Sequence, residues 1–303
     1  MAAERVFAPA RDLETCLRQS NRPLMSLESA TPLNQFDIIG FSLLYELNFT
    51  NILTMLALSA IPFFTAQRDA AHPFLIAGGP CAVNPEPLAD FFDAFVVGDG
   101  ETVIVEMARA WLDWHTQDGA DKETLLREWS RIEGVYIPSF FETHYDPAGH
   151  QHLTPRFGDH RGVTRCIVPS LDEASFPVDP IVPYGRPVHA RVRLEISRGC
   201  TRGCRFCQAG MIYRPVRERR QTTLLGLAES SLAKTGFEDL SLLSLSTGDY
   251  GCIVPLMDGL MARYADQQVA VSLPSLRAGT LTPELMDLVK KVRKTGFTMA
   301  PEA

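Results

Sequence analysis

An α/β chain built as two successive parallel-sheet units is the fold this sequence predicts, and three observations carry it. Short apolar runs that end in glycine or small polar residues alternate with segments of helical apolar spacing, both before residue 130 and after residue 189. Strands that alternate with helices pair in parallel. A proline-rich stretch with Pro169, Pro177, Pro180, Pro183 and Pro187 separates the two runs. The length of 303 residues leaves room for about two domains.

In the first run, FDIIGFSLL reads as an apolar strand. NFTNILTMLALSAI has helical spacing, with Asn48 or Thr50 as cap. PFLIAGGP and DAFVVGDGE are short apolar runs closed by glycines, and ETVIVEMARAWLDWHTQ is a helix on which Trp111 and Trp114 form a packing pair. The pattern predicts a doubly wound sheet whose loops near Leu43, Gly78 and Gly98 line one edge, where such sheets bind ligands. GVYIPSFF and the stretch from His150 to Pro155 flank a DPAG turn, which predicts a β-hairpin. The domains expected are residues 1–130, a hairpin and connector over 131–188, and residues 189–303.

The second run opens with HARVRLEISRGC, a strand running into cysteines. A helix follows from Leu224 to Lys234, then SLLSLSTGDY as strand and loop, and a helix from Ile253 to Ala265. VAVSLPSLRAGT is strand and loop. TPELMDLVKKVRKTG is a helix with Thr282 as N-cap and Glu284 in its first turn, and GFTMAPEA is a last strand. This is the first half of a barrel-like α/β fold.

Hydrophobic residues make up 46% and charged residues 21%, the balance of a soluble globular protein. A net charge of −7 gives no global pull toward nucleic acid or anionic lipid. Seven cysteines, three of them between Cys200 and Cys207, suit a reducing compartment and a metal site rather than a disulfide framework. No secretory leader opens the chain, and no apolar run is long enough to span a bilayer. The expected location is cytoplasmic, with no membrane partner.

The spacing C-x3-C-x2-C puts Cys200, Cys204 and Cys207 on one loop. Three soft thiolates suit an iron–sulfur cluster and leave one iron without a protein ligand. Arg198, Arg202 and Arg205 bring positive charge to an anionic centre. Zinc normally takes four ligands. The next cysteine along the chain, Cys252, lies on another loop, and no histidine follows Cys200. A non-catalytic cluster-bearing or zinc-bearing structural module is the alternative.

CTRGCRFC, with Phe206 in the aromatic position, resembles the signature of the radical S-adenosylmethionine (SAM) superfamily. The resemblance implies a 4Fe-4S cluster on Cys200, Cys204 and Cys207. It implies SAM on the open iron, cleaved by one electron to methionine and a 5′-deoxyadenosyl radical. A reductant such as flavodoxin or ferredoxin is the implied partner. The turn Ser246–Asp249 departs from the family's G-G-E-like turn, and Thr247, Gly248 and Asp249 stand where the methionine end is held. Ser272, Ser275 and Arg277 fall at the ribose and carboxylate contacts. Glu302 ends the fourth strand, within reach of the adenosyl region. No catalytic residue is assigned.

IAGGPCAVNPEP and DAFVVGDGE resemble the cobalamin-binding-like domain that precedes many such barrels, with Gly78, Gly79, Gly98 and Gly100 as cofactor-binding positions. The D-x-H-x-x-G pattern is missing, so cobalamin would bind without a histidine ligand. A Rossmann-like domain that only shapes the substrate cavity stays open beside that reading. With VFAP, SLLYELNFTN, EISRGC, SLSTGDY and SLPSLRAG, nearly the whole chain looks like an uncharacterised bacterial radical SAM group. The implied fold is a Rossmann-like cobalamin-binding-type domain followed by a partial (βα) radical SAM barrel. The implied chain is a fragment: ERVFAP reads as a second strand, the first strand and later barrel strands are missing, and the fragment alone is expected to fall short of activity. Cobalamin-dependent methyl transfer is the alternative activity.

Four arginines, Arg214, Arg217, Arg219 and Arg220, make RPVRERRQ a solvated helix-flanking face, with RNA kept open as a substrate. Asp159 and His160 read as a polar loop, and Cys16, Cys81 and Cys166 as small buried side chains.

Overall fold

A computed structural model describes residues 2–117, 121–185, 187–292 and 299–300. The chain divides into Met1–Ile167 and Val168–Ala303. The division falls inside the 131–188 stretch, so the hairpin goes with the first unit and the prolines with the second.

The first unit runs through α1 (Arg11–Ser20), β1 (Ile38–Ser42), α2 (Phe49–Leu58), β2 (Phe74–Gly78) and β3 (Ala94–Val96). It continues with α3 (Val103–His115), α4 (Lys122–Ser130), β4 (Val135–Tyr136), β5 (Phe141–Tyr145) and β6 (Gln151–Pro155). The sheet order is β1-β2-β3-β4. The first three strands are parallel, and β4 closes the sheet antiparallel to β3. β2 is buried along Phe74–Ala77, as a strand covered on both faces must be. The wide side chains Phe92, Phe95, Trp129 and Met107 fill the core, and the Trp129 indole N–H donates to the Met107 carbonyl at 2.9 Å.

Several expectations need correction. Strands β1 to β3 add in sequence order with no reversal among the described residues, so this part is not doubly wound. Strand–helix alternation specifies parallel pairing but not the side on which each strand adds. GVYIPSFF is not one hairpin arm. A 3-10 turn at Pro138–Phe140 interrupts it, so Val135–Tyr136 joins the sheet and the hairpin pairs Phe141–Tyr145 with Gln151–Pro155. ERVFAP is not a sheet strand; it lies beside residues 27–29, with Leu27 N–H on the Arg5 carbonyl at 2.9 Å and an Arg5–Glu28 ion pair. Helices α1 and α4 were not foreseen.

The second unit runs through β7 (Val192–Glu195), β8 (Ser197–Arg198), α5 (Ala209–Ile212), β9 (Arg217–Glu218) and α6 (Gln221–Thr235). It continues with β10 (Asp239–Leu243), α7 (Ile253–Tyr264), β11 (Ala270–Ser272), β12 (Leu276–Arg277), α8 (Pro283–Lys290) and β13 (Met299–Ala300). A parallel sheet β7-β10-β11 pairs Leu194 with Leu242 and Leu240 with Val271. β8 and β9 form an antiparallel clip, and β12 pairs β13 in parallel. Leu224 and Ala228 of α6, Leu256 and Leu260 of α7 and Leu285 of α8 are fully buried in the core beneath that sheet. Thr282 caps α8 as expected, accepting the Leu285 N–H at 3.2 Å. Of the last strand only Met299 and Ala300 are described, and Glu302 lies outside the described residues. Among the described residues no helix is long and apolar enough to cross a membrane.

Candidate functional site

The cysteine loop follows β8, the short strand that comes directly after β7 of the parallel sheet. Gly199 sits there at φ +100°, and a Cβ would overlap the carbonyls of Tyr213 and Pro215 on the returning chain. Only glycine suits that crossing. The loop closes locally, with Cys207 N–H on the Cys204 carbonyl at 3.0 Å and Met211 N–H on the Gln208 carbonyl at 2.9 Å. None of the seven cysteines is in a disulfide; Cys200 and Cys204 are half-buried, and Cys207 is exposed. All three line one cavity of about 340 Å³, together with Phe206, Ser246, Ser275 and Arg277. A neighbouring cavity of about 440 Å³ shares Cys200, Arg202 and Ser246 and adds Glu218, Asp249 and Tyr250. Both lie where the parallel strands end, the edge on which barrel active sites are built.

The turn after β10 is held tightly. Thr247 is fully buried; its N–H donates to the Ser275 carbonyl at 3.2 Å, and its hydroxyl pairs with Ser244 at 3.1 Å. Thr280 packs directly on the α-carbon of Gly248. Asp249 accepts the Ser246 hydroxyl at 2.6 Å and both Nε (2.7 Å) and Nη2 of Arg202. Arg202, with its hydrogen bond first, holds the Asp249 carboxyl below the ordinary carboxylate range. Arg277 stands 3.9 Å from the same carboxylate, and its Nε is buried with no hydrogen-bond partner. The Ser272 hydroxyl is turned to the Leu240 carbonyl at 3.3 Å. Thus Asp249, Ser275 and Arg277 present polar atoms near the cysteines, while the hydroxyls of Thr247 and Ser272 are engaged within the fold. The positive charge expected around the cysteines is partly matched, Arg198 by Glu195 at 3.0 Å and Arg202 by Asp249. Burial pushes the Tyr250 phenol up to about 12, and its hydroxyl donates to the Arg219 carbonyl at 2.8 Å.

The basic run is not a solvated face. Along β9 and the residue after it the side chains alternate, so Arg217 and Arg219 point inward and are buried. Arg217 donates to the Val168 carbonyl at 2.7 Å, and Arg219 to the carbonyls of Leu171 and Glu195. They clamp residues 168–171 to the barrel, and only Arg214 and Arg220 of the four stay exposed.

In the first unit, the space beside two of the expected cofactor glycines is taken by the chain itself. A Cβ on Gly98, at φ +117°, would overlap the Cys166 backbone, and one on Gly79 would stand 2.8 Å from the Leu43 carbonyl. Gly78 and Gly100 meet only ordinary contacts. The same sheet edge carries a feature the sequence reading missed, a rim of exposed Leu44, Tyr45, Leu47, Val83, Ile104 and Val105. Apolar side chains in the loops after β1 and β2 and in the first turn of α3 were the available signal. His160 is a core residue against Phe140 and Phe141, not part of a polar loop. Cys81 and Cys166 are buried as expected, but Cys16 is exposed, because α1 buries only Leu17.

Among the described residues, no three His, Cys, Asp or Glu side chains surround one point as ligands of a single ion would. A cubane cluster spreads its thiolates over three irons, so three cysteines around one cavity meet its donor chemistry.

Residues 1–138 match the family model for radical SAM proteins, N-terminal region. That match covers the first 138 of the 303 residues, and the α/β fold of the chain resembles solved radical SAM enzymes. An uncharacterised protein of Methanocaldococcus jannaschii, MJ0966, is 29% identical over 289 residues, covering 94% of this chain and 54% of that protein. The radical SAM methyltransferase TsrM from Kitasatospora setae, solved with cobalamin and a 4Fe-4S cluster, superposes with a TM-score of 0.53 at 14% identity, over 96% of this chain and 52% of TsrM. The cobalamin-dependent SAM radical enzyme OxsB, solved with aqua-cobalamin and SAM, gives 0.52 at 12% identity, over 88% of this chain and 36% of OxsB. The chain spans about half the length of the relatives it matches first.

Proposed function

We propose that the second unit holds a 4Fe-4S cluster on Cys200, Cys204 and Cys207 and binds SAM beside it, which makes the full-length protein a radical SAM enzyme. One observation carries the reading: the three cysteines and Arg277 line a single cavity at the ends of the parallel strands. A 4Fe-4S cluster held by Cys200, Cys204 and Cys207 would supply one electron for the reductive cleavage of SAM. Arg277, with its open Nε, has donors to spare for a carboxylate such as that of methionine. Ser246 and Ser275 add hydroxyls to the same wall. The reading requires a small one-electron donor of flavodoxin or ferredoxin type, and a reducing cytoplasm in which thiolates persist.

Cobalamin-dependent methyl transfer is a second reading, favoured by the apolar rim on the sheet edge where such folds bind ligands. The filled space beside Gly79 and Gly98 does not fit a close cofactor approach there, so no step passes through cobalamin.

The full-length protein, reconstituted anaerobically, should carry about four irons per chain and release 5′-deoxyadenosine from SAM with a chemical reductant. Cys200→Ala, Cys204→Ala and Cys207→Ala should each lose the iron, and Cys16→Ala should keep it. A Cys200→Ala protein with full iron content sinks the ligand assignment. A cobalamin spectrum unchanged by the protein removes the second reading alone.

A further inference from the structure

Loop 199–208 carries the cysteines and begins at the tight Gly199 crossing. Its backbone bonds are local, and Gly199 and Gly203 take positive φ within it. Arg202 links the loop to a distant element. It reaches across 47 positions to Asp249 and delivers Nε and Nη2 to the two carboxylate oxygens. Two parallel charged bonds fix orientation as well as distance.

Asp249 is the rigid end of that link. The Ser246 hydroxyl holds its carboxylate at 2.6 Å, and the Asp249 N–H bonds the Ser246 carbonyl at 3.1 Å. The turn is pinned from the other side by the Thr247–Ser275 bond and by Thr280 on Gly248. Arg277 is a poor substitute for Arg202, since it stands 3.9 Å away and keeps an unpartnered Nε. One arginine is committed to Asp249 and the other is left for a ligand.

We infer that the Arg202–Asp249 pair is a tether that sets the cysteine loop against the turn after β10, so that cluster retention and SAM binding depend on one ion pair. Both are positioning residues, and the inference rests on the radical SAM reading above. Asparagine at 249 keeps the shape and loses the charge. Glutamate keeps the charge on a longer arm.

The test compares full-length wild type with Asp249→Asn, Arg202→Gln and Asp249→Glu. Two quantities are measured: the rate at which a chelator strips iron, and the SAM concentration giving half of the change in the electron paramagnetic resonance signal of the reduced cluster. Circular dichroism checks the fold. Asp249→Asn and Arg202→Gln should each lose iron about three- to tenfold faster and need about three- to tenfold more SAM, as expected for a partly exposed charged pair. Asp249→Glu should recover part of both losses. If Asp249→Asn does not fold, Arg202→Lys, which keeps the charge without the two-pronged geometry, should show the same paired losses. Wild-type values for both quantities overturn the tether, and iron loss with unchanged SAM dependence overturns the coupling. A wild-type protein that takes up no iron overturns the radical SAM reading itself, before any variant is compared.

Discussion

Arg219→Met separates the two readings of the basic run. The Arg219 side chain is 1% exposed and donates to the carbonyls of Leu171 and Glu195 and to the Glu195 carboxylate at 3.3 Å. Methionine keeps most of the volume and removes every donor. The Leu171 carbonyl keeps the Ala174 N–H at 3.3 Å, and each hydrogen bond lost by a buried carbonyl costs about 1–1.5 kcal/mol. The ionic part adds little, because the Glu195 side chain is 22% exposed and keeps two bonds from Arg198, at 3.0 and 3.1 Å. Water can reach Glu195, so the loss expected for the second unit is about 2–3 kcal/mol. All three tryptophans lie at positions 111, 114 and 129, so tryptophan fluorescence reports the first unit only. Amide hydrogen exchange in α6 is the better assay and should speed up by about 30- to 150-fold at that loss. Arg220→Met is the control: its side chain is 84% exposed, and the expected change is within about 0.5 kcal/mol. If Arg219→Met exchanges like Arg220→Met and instead weakens RNA binding by the folded protein, the clamp is refuted and the run is a phosphate-facing surface.

Two further outcomes concern the first unit. His160 is buried, with its pKa drawn below 6.5 chiefly by desolvation, against opposing pulls from a Ser130 backbone bond and Asp159. The unfolded chain takes the proton first as pH falls, so this contribution is complete above about pH 6.5 and is lost as pH drops toward the folded pKa. Urea midpoints by tryptophan fluorescence at pH 7.5 and 5 should therefore differ less in His160→Phe than in wild type; an equal difference in both would exclude His160 as the cause. Gly98→Ala should destabilise by about 2–3 kcal/mol, since the new Cβ meets the Cys166 backbone at φ +117°, while Gly100→Ala, whose nearest contact is 3.9 Å, should be near neutral. Matching midpoints for the two variants would contradict the crowding at Gly98.

The readable parts of the fold were those with a long or chemically distinct signal. The four successive buried residues of β2 announce a covered parallel strand. The DPAG turn closes as expected, because Asp146 Oδ1 accepts the N–H groups of Ala148 and His150. Strand β4 has two residues, too few for any period to show, and its pairing with β3 depends on the neighbours it meets rather than on itself. Helix α1 is mostly polar, and its apolar stripe is only Leu13, Cys16 and Leu17, of which Leu17 alone is buried, so the stripe is too short to stand out in the sequence. Sheet order was out of reach for a different reason. Alternation constrains neighbours to be parallel, and a strand can add at either side of a growing sheet without changing that pattern.

The same division runs through the candidate site. The cysteine spacing was legible because covalent spacing along one loop is itself the signal. Arg202 and Asp249 stand 47 positions apart, and nothing local to either predicts the other; each looked like a separate ligand contact. RPVRERRQ was misread because four arginines in seven residues suggest one surface, whereas an extended backbone sends alternate residues to opposite sides. Arg217 and Arg219 then fall on the inward side, and burial is affordable there only because backbone carbonyls of residues 168 and 171 and of Glu195 meet the guanidinium groups. Charge content alone therefore says little about a surface when the backbone is extended. What decides is whether buried acceptors await the inward-facing cations, and those acceptors belong to chain segments far away in sequence.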